Sequence, residues 1–166
     1  MAITGNYYWK GQVEILKGNI QFSSDDLKVI LLNASYSQDV KAHEFLSDIS
    51  AYEVEGEGYT PGGGVFSVPI AVTSQPSGLA KVYIESALYY REEGSSKTEW
   101  TLGKVRWSAL TIPEGVRYGL LYKNTGDPDT SPLIGCYNLG ETLEFNHQDF
   151  GLLWQMGIIE RIFLNE

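Results

Sequence analysis

Val105-Arg-Trp-Ser-Ala-Leu-Thr-Ile-Pro-Glu-Gly-Val-Arg-Tyr-Gly-Leu-Leu-Tyr122 is the stretch on which the fold reading turns. Val105 and Trp107 share one parity, whereas Leu110 and Ile112 share the other. Alternation with period two is the signature of a strand, and a change of parity inside it predicts a β-bulge, here at Ser108-Ala109. Val116, Tyr118, Leu120 and Tyr122 carry the alternation into the polar turn Asn124-Thr-Gly-Asp-Pro-Asp-Thr-Ser131, and Leu133 to Leu139 reads as the next strand.

The same reading extends in both directions. Downstream, Phe150, Leu152, Trp154, Met156 and Ile158 alternate, which predicts two strands bent near Gly157, with Asn146-His-Gln-Asp149 as a polar hairpin turn before them. Upstream, Phe66, Val68, Ile70 and Val72 form an edge or bulged strand, because Pro69 has no N–H for a ladder. Residues Lys81 to Leu88 alternate as a further strand, and Glu92-Glu-Gly-Ser-Ser-Lys97 turns the chain towards Glu99-Trp-Thr-Leu102. Leu27-Lys-Val-Ile-Leu-Leu-Asn33 is apolar at nearly every position, as a strand covered on both faces would be.

Nearer the N-terminus the period lengthens. Trp9, Val13 and Leu16 fall at helical spacing and Gly18 supplies a stop, predicting a short amphipathic helix over Tyr7 to Lys17. A second helix is predicted over Lys41 to Ile49, with Ala42, Phe45, Leu46 and Ile49 as its stripe. The chain therefore reads as mainly β, an antiparallel β-sandwich or jelly-roll-like fold with one or two short helices in its N-terminal third. Residues 1–26 form a helix and entry segment and residues 27–166 the sandwich, within a single domain.

Composition narrows the functional classes. Lys+Arg 12 against Asp+Glu 21 gives a net charge of -9 over 166 residues, and the cations are scattered singly. Affinity for nucleic acid rests on several adjacent phosphate contacts, so no nucleic-acid partner is expected. Met1-Ala-Ile-Thr-Gly-Asn6 is not a signal-peptide pattern, and the longest apolar-rich stretch is interrupted by charge, so no membrane partner is expected. One cysteine and two histidines exclude a multi-cysteine or His-rich metal centre.

Chemistry-bearing groupings are few. His147 lies two residues before Asp149, but without a G-x-S-x-G elbow a polar turn explains both better than a hydrolytic triad. His43, Glu44 and Asp48 fall short of H-E-x-x-H and read as a solvated helix face. Asp127-Pro-Asp129 and Glu53-Val-Glu-Gly-Glu57 do not follow the calcium-loop pattern. Tyr59-Thr-Pro-Gly-Gly-Gly64 has glycines but no lysine for a phosphate cradle, and Cys136 reads as a buried filler. No catalytic residue, cofactor or metal is predicted. Tyr and Trp are enriched at protein interfaces; Trp107 and Trp154 read as core, whereas the adjacent pairs Tyr7-Tyr8 and Tyr89-Tyr90, which face opposite sides, and Trp9 are interface candidates.

Five blocks, in order along the chain, carry a likeness. They are Leu27-Lys-Val-Ile-Leu-Leu-Asn-Ala-Ser-Tyr36, the run from His43 to Gly64, Val105 to Ile112, Tyr118 to Asp127 continuing through Ser131 to Gly135, and Asp149 to Ile158. Within the second, Ser-Asp-Ile-Ser and Gly-Tyr-Thr-x-Gly-Gly are the most specific patterns. Together they resemble a family of small virion structural proteins of tailed bacteriophages. The resemblance implies a non-enzymatic protein made in the host bacterial cytoplasm and incorporated into the virion. Its expected role is a capsid decoration or cement protein on the major capsid shell, as a homo-oligomer such as a trimer. A minor tail or baseplate component and a host-glycan-binding module are the alternatives.

Overall fold

The computed structural model describes residues 4–22, 24–66, 79–84, 87–92 and 101–155, with side chains for 4–22, 24–66 and 105–152. Seven strands and one α-helix lie within them: β1 (Thr4–Tyr7), α1 (Trp9–Leu16), β2 (Leu27–Leu32), β3 (Gly64–Val65), β4 (Leu79–Ile84), β5 (Ala87–Glu92), β6 (Thr101–Lys123) and β7 (Leu133–Gln155). The protein is mainly β. Five strands form an antiparallel sheet in the order β1-β7-β6-β2-β3, and β4 and β5 form a separate two-stranded ladder.

β2 sits inside the larger sheet, between β6 and β3, and this explains why it is apolar at every position but Lys28. Leu27, Val29 and Leu31 enter one core cluster and Ile30 and Leu32 the other, so both faces of the strand are covered. The second cluster is closed by Tyr8, Tyr36, Leu46 and Ile49. The first draws on Ile15, Ile20 and Phe22 and on the outer half of the β6–β7 hairpin, through Val105, Trp107, Leu110, Ile112, Phe145 and Leu152. That hairpin is bent so that its outer half packs back over its inner half. At Gly119, on the inner half, an added Cβ would collide with Leu152 of the outer half.

The bend is made by bulges. The register of β6 against β7 shifts between Trp107 and Leu110, where the change of parity places it, and Ala109 there has φ 53°. Further shifts follow up to Tyr118, and one more lies between Leu121 and Tyr122. Bulges kink a ribbon and increase its twist, which lets the outer half of one long hairpin turn back towards its inner half.

Several expectations are corrected. β1 stands in the segment read as helix and entry; its four residues pair with Gly135 to Asn138 of β7. The helix over Lys41 to Ile49 is replaced by 3₁₀ turns at Leu46–Asp48 and Ser50–Tyr52. Tertiary hydrogen bonds override the local stripe there: Leu46 N–H donates to Ser131 O (2.9 Å) and Leu133 N–H to Glu44 O (2.9 Å), holding Phe45 extended. Asn146 to Asp149 is not a hairpin turn but part of β7, where His147 takes φ 55° opposite the Ala109 bulge. A left-handed residue inside a strand carries the same polar composition as a turn, which accounts for the misreading. The strand read over Lys81 to Leu88 is instead a hairpin, with Ile84 paired to Ala87. The strand from Phe66 to Val72 beyond its first residue, the turn at Glu92 to Lys97 beyond Glu92, and the bend near Gly157 lie outside the described residues.

Candidate functional site

The loop before β3 accounts for the Gly-Tyr-Thr-x-Gly-Gly pattern. β3 is two residues long and pairs only with Lys28 and Val29, leaving the second half of β2 without a neighbour on that side. Residues 52–54 and Tyr59 fill the gap. Val54 N–H donates to Leu31 O (3.0 Å), Asn33 N–H to Tyr52 O (3.0 Å), and Leu31 N–H to the Tyr59 hydroxyl (3.1 Å). The hydroxyl itself donates to Glu53 Oε1 (2.7 Å), which also accepts Gly62 N–H (2.7 Å), and Tyr122 donates to Gly62 O (2.6 Å). Gly63, at φ 86°, lies so close to Val29 O that no Cβ fits. Burial first, then the Glu53 charge, raises the Tyr59 pKa above the ordinary phenol range. Burial likewise pushes Tyr122 up to about 12. This loop is a structural joint that completes a sheet edge.

The Ser-Asp-Ile-Ser pattern is a joint of the same kind. Asp48 Oδ2 accepts the N–H groups of Glu44 (2.8 Å) and Phe45 (2.9 Å), and the Phe45 bond leads in lowering the Asp48 pKa. Nearby, the hydroxyls of Tyr8 and Tyr36 share a 2.6 Å hydrogen bond, and Tyr36 meets His43 Nδ1 at 3.0 Å. Cys136 is buried beside Tyr8, and desolvation pushes its thiol up to about 12. A thiol held protonated packs as an apolar group. His43, Glu44 and Asp48 thus go to three separate tasks: a tyrosine contact, an ion pair with Lys10 (3.9 Å), and a turn cap.

His147 and Asp149 are likewise engaged within the bulge. Asp149 accepts from Arg106 Nη2 (2.6 Å) and Ala109 N–H (3.1 Å), and the Arg106 bond leads in lowering its pKa. His147 N–H donates to Thr111 Oγ1 (3.2 Å), and its Nδ1 lies 3.3 Å from that same oxygen. Asp127 caps the 3₁₀ turn at Pro128–Thr130 by accepting Asp129 N–H (3.0 Å). No group of three or more His, Cys, Asp or Glu with metal-binding geometry occurs among the described residues. No helix among them is long and apolar enough to cross a membrane.

The interface candidates separate. Tyr7 and Tyr8 are buried within the chain: Tyr8 fully, in one core cluster, while Tyr7 belongs to the other. Their alternation across the sheet sends one to each face, and both faces are covered. Tyr89 and Tyr90 are neighbours in β5, opposite Val82 and Lys81, and their side chains lie outside the described ones. The core reading of Trp107 agrees with its burial, and the Trp154 side chain lies outside the described ones.

Trp9 is 54% exposed, and so are its helical neighbours Val13 (43%) and Leu16 (67%). The helix turns Gly11 and Ile15 inward. A Cβ at Gly11 would overlap Leu133 O and approach Ile134 Cα at 2.6 Å, so α1 rests directly on the β7 backbone and a bulky face has no room there. Lys41 Nζ lies 4.5 Å above the Trp9 ring, and Lys10 Nζ 4.9 Å above that of Phe45. Sequence reading picked out Trp9 but not Val13 and Leu16 as surface; the one signal was Gly11, whose missing side chain marks the face that packs closely. Comparison with protein-family models, characterised proteins and solved structures finds no match.

Proposed function

We propose that this chain is a non-enzymatic structural protein of a tailed-bacteriophage virion, a capsid decoration or cement protein that adds to the major capsid shell as a homo-oligomer. In this reading the sheet and the folded-back half of the β6–β7 hairpin together make a β-sandwich of jelly-roll type. The observation that carries the proposal is how the motifs of the virion resemblance are used. Asp48, Tyr59, Gly62 and Gly63 are joints that hold irregular loops on a sheet. Such joints build a fixed surface, which is what a protein that works by docking needs. The exposed stripe on α1 supports the same reading, because contiguous apolar surface on a small domain marks an interaction site.

The test is sedimentation of the purified protein with separated heads and tails of the phage that encodes it. Saturable association with heads is expected. Association with tails alone would replace the shell by the tail as its partner, and binding to neither would overturn the virion reading.

A further inference from the structure

We propose that the outward face of α1 is the surface by which the protein docks, and that it fits a protein patch with an apolar centre bordered by carboxylates. The proposal rests on the virion reading and adds the site and chemistry of the contact.

The geometry of the helix makes the exposure a built feature. At 100° per residue, Trp9, Val13 and Leu16 lie within one narrow stripe, opposite Gly11 and Ile15. Turning the stripe inward would require α1 to lift off the β7 backbone, since only glycine fits at position 11. Leaving these three side chains in water forgoes the stabilisation that their burial would bring. The exposed apolar area is on the order of 300 Å², the scale of a functional patch but short of the ~800 Å² that each side of a stable interface covers. The stripe therefore forms the centre of a contact whose rim comes from its surroundings.

That rim sets the chemistry of the partner. Next to the stripe on the helix stand Gln12 on one side and Lys10 and Lys17 on the other, while Lys41 sits over Trp9 from the neighbouring loop. The carboxylates of this region lie one step further out and are engaged. Glu14 is held by Asn19 (2.6 Å), Lys10 (3.6 Å) and Lys17 (3.8 Å), and Glu44 by Lys10 (3.9 Å). Asp39 accepts the N–H groups of Lys41 and Ala42, both at 3.0 Å. Lys17, whose side chain stays 62% exposed while its ammonium pairs with Glu14, and Lys41, whose ammonium rests on the Trp9 ring, are the cations nearest the stripe. On a chain of net charge -9, these cations border the stripe with positive charge, which carboxylates on a partner would complement. Antiparallel pairing of the stripe with the same stripe on a second copy would instead bring its lysine side against the lysine side of that copy.

The experiment uses the full chain and particles assembled without it. Leu16→Glu and the double variant Lys17→Glu/Lys41→Glu should each weaken binding to particles at least tenfold. Val65→Glu, at the comparably exposed Val65 (64%) on the opposite edge strand, should leave binding unchanged. Unaltered circular dichroism and melting temperature establish that the variants fold. If wild type and both α1 variants bind alike, the docking surface is overturned while the virion reading stands. Wild type binding neither heads nor tails overturns the virion reading and this inference with it. Loss of self-association in Leu16→Glu without loss of particle binding assigns the stripe to a second copy and also overturns it. So does binding to vesicles of anionic lipid in place of particles.

Discussion

Replacing Tyr59 by phenylalanine removes one oxygen and tests whether the loop before β3 holds the sheet edge. That oxygen accepts Leu31 N–H at 3.1 Å and donates to Glu53 Oε1 at 2.7 Å. Leu31 is fully buried, so its N–H would be left without a partner in an apolar setting. An orphaned buried donor costs about 1–3 kcal/mol, and the lost bond to a carboxylate about 1.5–3 more if unreplaced. Glu53 is half-buried and keeps Gly62 N–H, so the second contribution falls at the low end. The expected total is about 2–4 kcal/mol. For a chain of this size each kcal/mol lowers Tm by roughly 2–4 °C, giving a fall of about 5–15 °C. Urea unfolding at several temperatures, with the m-value checked for constancy, reads the loss directly. A loss below about 0.5 kcal/mol would refute the reasoning, since the hydroxyl would then be doing nothing that the phenyl ring does not.

Three further predictions follow from packing and titration. Gly11→Ala gains about 1 kcal/mol of helix propensity but drives a methyl into the β7 backbone, an overpacking cost of about 1–3 kcal/mol; net destabilisation in a thermal melt is expected, and stabilisation would show that α1 does not rest on β7. Ala109→Gly relieves a left-handed conformation costing about 1–2 kcal/mol against a glycine entropy penalty of about 0.5–1, so stability should rise slightly, and a fall beyond 1 kcal/mol would contradict the assigned bulge. Tyr8, Tyr36, Tyr59 and Tyr122 all have folded pKa values raised by burial. Above pH ~10 the unfolded chain releases these protons first, so stability falls with rising pH by up to about 1.4 kcal/mol per pH unit for each tyrosine. Tyrosinate absorbance should therefore show a late group that ionises together with unfolding, and independent titration of all tyrosines in the folded protein would refute it.

The legible parts of the fold were those set by local pattern. The two-sided burial of β2, the bulge at Ser108-Ala109 and the turn after Lys123 follow from apolar spacing, a parity change and a run of turn residues. β1 was hidden because Thr4-Gly-Asn-Tyr7 has no apolar alternation and becomes a strand only through its partner in β7. The missing second helix reflects the same dominance of long-range hydrogen bonds over propensity, here between residues 44–46 and 131–133. For the candidate site, helical spacing located the stripe Trp9, Val13 and Leu16 but did not say which way it faces. Periodicity says which residues share a face, and the close approach at Gly11 decides which face is buried.

A reconstruction of intact particles, compared with particles assembled without this protein, tests the central claim most directly. Difference density is expected on the outer shell, in repeated copies, with α1 against the major capsid subunits. Difference density confined to the tail, or particles that do not contain the protein, would contradict it.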